Sequence, residues 1–223
     1  NAVIDYLNKK DSIYTKVISP DFKLKYYLSI EEVEIKIKKL IRYSDPDPNR
    51  KTLFIWPEGV FTGYNYNEIS QFSNLIKENF SEKHLILLGL NTFDKISSTY
   101  FNSLILVNNK FEIIYRYNKK KLVPFGEFLP FNKFLNKFGL KKITEGYSSF
   151  SRGKIQENII IDNVNILPLI CYEIIFPELV QNAEEKTNLI VNISEDGWFG
   201  SSIGPHQHFA KAIFRSIENN SFL

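Results

Sequence analysis

The sequence has little of several features that would place it in a special class of protein. Its single cysteine excludes an internal disulfide, so the fold does not depend on a covalent cross-link. A net charge of +3, with one tight lysine run at 119–121, is too weak to favour nucleic acid as a partner. No apolar run approaches the roughly 18 residues that a membrane-spanning helix needs, so this segment is not expected to cross a bilayer.

Methionine is also absent, the chain begins with asparagine, and residues 1–10 lack the apolar centre of a signal peptide. We therefore expect a segment of a longer protein, whose other parts could include membrane spans. What is present fits an ordinary folded domain, with 43% hydrophobic and 24% charged residues. A length of 223 residues is enough for one well-buried core, so we expect residues 1–223 to form a single domain.

The spacing of apolar residues predicts alternating helices and strands, as in an α/β domain. Ser29 and Glu32 form a capping-box signature at the start of a predicted helix over 30–43. The runs 101–107 and 111–117 flank a short loop rich in asparagine and predict a β-hairpin. The remaining predicted elements are strands at 52–56, 85–90, 158–162, 164–170 and 188–194, helices at 69–80 and 177–185, and a final helix from Pro205 with Phe209, Ile213 and Ile217 facing inward.

Residues 122–153 form a long stretch without a clear helix or strand pattern. Loops of this length in compact domains are usually functional. Its aromatic part, residues 123–138, is expected either to form a lid or membrane-facing arm or to pack in the core. The sequence leaves both interpretations open.

Three chemically active residues each follow the end of a predicted strand: Glu58, Lys119 and Cys171. Ligand sites in open α/β sheets gather at the carboxyl ends of strands, so we expect these side chains to meet. A glutamate can accept the thiol proton, and an ammonium can stabilise the thiolate and the oxyanion that forms when sulfur attacks a carbonyl carbon. Taken singly, each residue also fits a structural role, as a buried filler, a paired carboxylate or an exposed charge.

The sequence around these residues resembles that of the nitrilase, or carbon-nitrogen hydrolase, superfamily. The phrases WPE at 56–58, YNK at 117–119 and CYE at 171–173 occur in the superfamily's order. Within it, longer phrases are closer to the apolipoprotein N-acyltransferases. These phrases are LVPFGEFLP at 122–130, FSRG at 150–153, ICYE at 170–173, DGWFG at 196–200 and GPHQHF at 204–209.

The resemblance implies an α/β fold, the four-layer αββα sandwich of the nitrilases, and a set of site residues. These are Glu58 as general base, Lys119 as oxyanion stabiliser, Cys171 as nucleophile, Glu127 as a supporting carboxylate, and Tyr172 and Glu173 at further site positions. The backbone N–H of Tyr172 is a natural second donor to the oxyanion. For Glu173 a simple pairing with a lysine is the alternative.

The implied function is a two-stage acyl transfer. Cys171 takes a fatty acyl chain from a phospholipid as a thioester, and the N-terminal cysteine amine of a diacylglyceryl apolipoprotein then receives it. No cofactor, metal or nucleic acid is expected. The implied location is the bacterial inner membrane, with the catalytic domain on the periplasmic face and membrane segments flanking it. Two alternatives stay open: a soluble amidase of the same superfamily, and a catalytically silent scaffold that binds lipoprotein.

The sequence departs from the family's pattern in three places. Glu195 stands where the family typically has asparagine, and the first fifty residues match only loosely, around 17–20. The family's domain also continues through further strands, so we expect the sandwich to be incomplete after Leu223.

Overall fold

The structure is a computed structural model that describes residues 13–124, 126–128, 149–154, 157–181 and 186–223. The strands of the described residues are β1 (Tyr14–Val17), β2 (Thr52–Ile55), β3 (His84–Asp94), β4 (Thr99–Val107), β5 (Ile113–Asn118), β6 (Ile159–Ile161), β7 (Val164–Ile170) and β8 (Leu189–Ile193). The α-helices are α1 (Ile30–Ser44), α2 (Tyr66–Ile69), α3 (Ser73–Asn79), α4 (Glu178–Gln181) and α5 (Gly204–Glu218).

The strands form two sheets. The first has the order β1-β2-β3-β4-β5, parallel from β1 to β3 and antiparallel from β3 to β5. The second has the order β6-β7-β8, in which β6 and β7 are antiparallel and β7 and β8 are parallel. β2 and β7 each belong to a parallel pair of strands. Ligand sites in such sheets form in the loops that follow the carboxyl ends of the strands.

The side chains of the sheets separate into three apolar clusters that define four layers. On the outer face of the first sheet, Phe54 and Leu88 pack with Val33 and Ile37 of α1. Between the sheets lie residues of both: Leu53, Leu87, Leu104, Ile166, Ile170 and Ile193. On the outer face of the second sheet, Leu167 and Leu169 pack with Ala212 of α5. This α/β/β/α arrangement agrees with the sandwich expected from the sequence.

Local sequence explains most of these elements. Ser29 and Glu32 exchange the two hydrogen bonds of the predicted capping box, so α1 begins where its sequence indicated. In β2, Leu53 and Ile55 face the second sheet while Phe54 faces α1, because successive strand residues point to opposite faces. Burial on both faces explains why the strand is apolar throughout.

Three predicted elements differ in detail. The helix predicted over 69–80 is broken into α2, a 3-10 turn over Ser70–Phe72, and α3. The helix predicted over 177–185 begins after Pro177 as α4, and residues 182–185 lie outside the described ranges. Of the loop 122–153, only 122–124, 126–128 and 149–153 are described, so the lid prediction for 123–138 lies largely outside them.

The predicted inward face of the final helix is wrong. Phe209 and Ile217 of α5 are 64% and 69% exposed, whereas His208 and Ala212 are buried. An apolar stripe along a helix shows which face is apolar. Which face packs inward also depends on the space and the hydrogen-bond partners in the neighbouring layer. Here the small side chain of Ala212 lets the helix approach the sheet, and His208 meets hydrogen-bond acceptors there. Among the described helices, none has the length and apolar character needed to cross a membrane.

Candidate active site

The structure brings Glu58, Lys119 and Cys171 to the wall of one cavity of about 490 Å³. Glu58 follows β2, Lys119 follows β5, and Cys171 follows β7, so the two sheets meet in this cavity. The Lys119 Nζ atom lies 4.0 Å from Glu58 Oε1. Most of the remaining wall is apolar or aromatic and includes Leu24, Phe61, Leu90, Phe150, Trp198 and Phe199.

Glu58 lines the cavity with 12% of its side chain exposed, and its carboxylate accepts two hydrogen bonds. Asn102 Nδ2 donates to Oε1 at 2.9 Å, and the backbone N–H of Glu195 donates to Oε2 at 3.1 Å. Burial raises the pKa of Glu58, the Lys119 charge lowers it, and the Glu127 charge raises it again. A carboxylate whose pKa is raised holds a proton more readily, which suits a general base.

The backbone of Glu58 can sit this close to the sheet because β3 has a glycine opposite it. A Cβ atom on Gly89 would lie 2.9 Å from Glu58 Cα and 2.8 Å from Ile193 Cδ1. A side chain at this position would force the backbone of Glu58 or the end of the Ile193 side chain to shift. A glycine inside an apolar strand signals this kind of close approach, but our sequence reasoning did not use it.

Lys119 is buried, with 1% of its surface exposed, although a lysine run would ordinarily be read as exposed charge. Its ammonium lies 2.9 Å from Glu127 Oε1. Burial lowers the pKa of Lys119, but the charges of Glu58 and Glu127 more than offset this, so its pKa is raised overall. The side chain is therefore a fixed positive charge in a low-dielectric site, where it acts strongly on a nearby oxyanion.

Asn102 of β4 joins the two carboxylates and was missed by sequence reasoning. Its Nδ2 donates to Glu127 Oε1 at 2.7 Å as well as to Glu58. Glu127 also accepts from the backbone N–H of Val123 at 2.8 Å, which fixes its second oxygen. The available signal was the polar pair Asn102 and Ser103 ahead of the apolar half of the strand.

Cys171 begins a 3-10 turn over Cys171–Ile175 with a φ of 51°. This left-handed conformation costs a residue other than glycine about 1–3 kcal/mol, and such strain clusters at functional sites. Burial raises the pKa of the thiol to about 12, Glu58 raises it, and Lys119, Ser194 and the Tyr172 N–H lower it. A raised pKa makes the thiol harder to ionise, so a base that removes its proton would favour attack on a carbonyl carbon.

Glu173 is fully buried and ties the Lys119 segment to the Cys171 segment. Burial raises its pKa, and four hydrogen bonds lower it. The donors are Tyr117 Oη at 2.9 Å and the backbone N–H groups of Lys120 at 2.7 Å, Lys121 at 3.0 Å and Ile170 at 3.0 Å. Glu173 thus contacts Lys120 and Lys121 through their backbone N–H groups, and the ammonium of Lys121 pairs with Glu178.

Tyr172 lines the cavity next to Cys171. Its ring meets Phe176 edge-on at 5.2 Å between centroids. In the part of the chain that the structure describes, no group of three His, Cys, Asp or Glu side chains is arranged to hold a metal ion.

The four-layer sandwich agrees with the fold that the resemblance to the nitrilase superfamily implied. The chain belongs to the carbon-nitrogen hydrolase family, whose model matches residues 27–223. Solved structures with a similar fold include a carbon-nitrogen hydrolase from Helicobacter pylori G27, at a TM-score of 0.62 and 16% identity over 94% of this chain and 70% of that one. An amidase from Nesterenkonia sp. has a TM-score of 0.54 at 13% identity, over 94% of this chain and 70% of that one.

Curated relatives of the chain are named apolipoprotein N-acyltransferase. The protein of Rhodopseudomonas palustris is 30% identical over 93% of this chain and 41% of its own length. That of Bradyrhizobium diazoefficiens is 32% identical over 90% of this chain and 39% of its own length. That of Vibrio vulnificus is 35% identical over 74% of this chain and 34% of its own length. The chain thus spans between about a third and two fifths of these relatives.

Proposed function

We propose that this chain is the catalytic domain of an N-acyltransferase that matures bacterial lipoproteins. It moves a fatty acyl chain from a phospholipid to Cys171 and then to the N-terminal cysteine amine of a diacylglyceryl apolipoprotein. The observation that carries the proposal is the cavity, in which Glu58, Lys119 and Cys171 form a polar end and the remaining wall is largely apolar. An apolar wall suits a long acyl chain better than a small polar amide.

In the first stage, the Cys171 sulfur attacks the carbonyl carbon of the phospholipid ester while Glu58 accepts the thiol proton. The developing oxyanion lies near the Lys119 ammonium and the Tyr172 N–H, which stabilise it. When the intermediate collapses, the ester C–O bond breaks, and Glu58 gives its proton to the departing oxygen. A lysophospholipid leaves, and the acyl group stays on sulfur as a thioester.

In the second stage, the acceptor amine attacks the thioester carbon and gives its proton to Glu58. The C–S bond then breaks, an amide forms, and Glu58 returns the proton to sulfur. Glu58 serves as base and acid in turn, which suits a carboxylate whose pKa is raised. Glu127 and Asn102 hold Glu58 and Lys119 in place through their hydrogen bonds.

The proposal includes a wider setting that rests on the resemblance and on the relatives' names. We place residues 1–223 in a single domain on the periplasmic face of the bacterial inner membrane, with phospholipid as donor and apolipoprotein as acceptor. The reaction needs no cofactor, because every proton transfer is assigned to a side chain of this chain.

The test is intact-protein mass spectrometry of the complete protein after incubation with phospholipid. We expect one added acyl mass on Cys171, which is lost when a peptide with a diacylglyceryl N-terminal cysteine is added and reappears on that peptide's amine. Cys171→Ala is the control without a nucleophile. Release of free fatty acid with no acylated peptide would instead indicate a hydrolase, and unchanged N-acylation by Cys171→Ala would refute the mechanism.

A further inference from the structure

A second polar cluster, which the acyl-transfer chemistry does not use, lies behind Cys171. It consists of Ser194, Asp196 and His208. The His208 Nδ1 atom lies 2.9 Å from Asp196 Oδ1, and Ser194 Oγ donates to the same oxygen at 2.5 Å. The His208 Nε2 atom lies 2.9 Å from the backbone carbonyl oxygen of Cys171.

His208 is a buried polar residue on α5, although several apolar residues of the same helix are exposed to solvent. Only 8% of its surface is exposed, whereas its neighbour Phe209 is 64% exposed. Burying an imidazole is unfavourable unless its nitrogens find partners, and here each nitrogen faces an oxygen. A carbonyl oxygen can only accept, so Nε2 carries the hydrogen and donates to Cys171.

This hydrogen bond is made to Cys171, whose backbone is strained and whose sulfur is the proposed nucleophile. Cys171 has a φ of 51°, and its carbonyl direction is part of the turn that aims its side chain at the cavity. The Ser194 hydroxyl lies close enough to the Cys171 thiol to lower its pKa. The cluster contacts Cys171 through its carbonyl oxygen, and Asp196 anchors the imidazole that makes this contact.

We propose that His208 is a positioning residue for the nucleophile. Its hydrogen bond to the Cys171 carbonyl holds the left-handed turn, so that the thiol stays at the cavity wall that it shares with Glu58 and Lys119, and Asp196 fixes the rotation of the imidazole. The inference rests on the proposed function, because it takes Cys171 as the nucleophile. Its consequence is that α5 contributes to the reaction without contacting the substrate.

The experiment compares His208→Leu with His208→Gln in the complete protein. Leucine removes the donor, while the amide nitrogen of glutamine reaches about as far as Nε2 and can still donate to the carbonyl. His206→Leu, an exposed histidine two residues away on the same helix, is the matched control. Two rates are measured from pH 6 to 10, namely acylation of Cys171 by phospholipid and its alkylation by iodoacetamide, and the melting temperature is recorded for each variant.

We expect His208→Leu to slow acylation by about 10- to 100-fold, through the rate at saturating lipid rather than the half-saturating concentration, as small misplacements of reacting groups do. We also expect its alkylation to need higher pH, because a displaced thiol loses the nearby Lys119 charge that lowers its pKa. His208→Gln should recover most of both losses, and His206→Leu should match the parent.

Parental rates for His208→Leu would overturn the inference. So would equal losses in the leucine and glutamine variants that follow their melting temperatures, since this outcome indicates a structural role only. If the parent forms no acyl adduct, the proposed function fails, and the alkylation series alone decides whether His208 positions the thiol.

Discussion

Two regions of the sandwich are equally buried but are held together by different forces. The inter-sheet core contains Leu53, Leu87 and Leu104, each with no exposed surface, and these side chains pack through apolar contacts. At the strand ends, Lys119 and Glu173 are equally inaccessible to solvent. Their side chains, however, are held by an ion pair with Glu127 and by hydrogen bonds. The first region gains free energy from the removal of apolar surface from water, whereas the second loses hydration that its partners must replace.

The difference indicates what each region is for. Buried ion pairs can often be replaced by apolar residues with little loss of stability, so a polar cluster in this position is weak evidence of a stabilising role. We infer that the core determines stability and the polar site determines chemistry. Substitutions in the two regions should therefore separate loss of activity from loss of stability.

The largest effect should come from Cys171→Ala, which removes the proposed nucleophile. We expect no acyl adduct, together with a change in unfolding free energy of about 1 kcal/mol or less, because the group lost is about the size of one methylene. Mass spectrometry and urea unfolding measure the two quantities. Cys171→Ser keeps the size of the side chain and serves as the matched variant; an acyl adduct on either protein would place the nucleophile elsewhere.

Glu58→Gln should follow, with acylation slowed by about 10²- to 10⁴-fold because the base is lost. Lys119 keeps its ion pair with Glu127 at 2.9 Å, so no buried charge is left unpaired and the fold should persist. Single-turnover acylation followed by mass spectrometry measures the rate. Glu58→Asp, which retains a carboxylate of shorter reach, should lie between; persistent acylation by Glu58→Gln would contradict the role of base.

Leu104→Ala tests the other side of the comparison. We expect a loss of about 2–5 kcal/mol in unfolding free energy, because a fully buried leucine is replaced and a cavity remains. Acylation per folded molecule should stay near the parental value. Ile114→Ala, on an exposed position of β5, is the control and should change stability by about 0.5 kcal/mol or less. Equal loss of activity and stability would show that the two regions are not separable.

The acid limb of the pH profile, where the acylation rate falls as the pH decreases, should test whether Glu58 is the base. Its pKa is raised from the ordinary 4.5, so acylation should fall with decreasing pH at a higher pH than an ordinary glutamate would cause. Glu127→Gln removes a charge that raises this pKa, and should move the limb to lower pH. Asn102→Leu removes a hydrogen bond that lowers it, and should move the limb to higher pH. Shifts in the same direction for both variants would exclude Glu58 as the titrating group.

The smallest effect should come from a charge pair on the surface. Lys51 lies 2.6 Å from Asp162, but both side chains are partly exposed, and water screens the pair. We expect Lys51→Ala to cost about 1 kcal/mol or less in urea unfolding, with unchanged acylation. A larger loss would mean that the charges outside the site also hold the sandwich together.

Much of the fold could be predicted from local patterns of capping and apolar residues in the sequence. The capping box marked the start of α1, and the β4–β5 hairpin and the β6–β7 pair appear where alternating apolar runs predicted them. The meeting of Glu58, Lys119 and Cys171 was also predictable, because each follows a strand and strand ends share an edge. Their catalytic roles stay predictions.

Other features depended on partners distant in sequence. The inward face of α5 could not be read from its apolar stripe, because the acceptors of His208 lie on another segment. Asn102 bridges two carboxylates from different loops, which no single stretch of sequence reveals. The depth of Lys119 and the raised pKa of the Cys171 thiol likewise come from burial by both sheets.

The amino-acid sequence by itself determined the helices and strands, the family and the residues able to do chemistry, because these depend on local periodicity and on ordered phrases. Only the tertiary structure decided the raised pKa of the thiol, the linkage of the carboxylates and the orientation of α5. Each of these depends on desolvation and on hydrogen bonds between segments far apart in the chain, and such free energies exist only once the layers have packed.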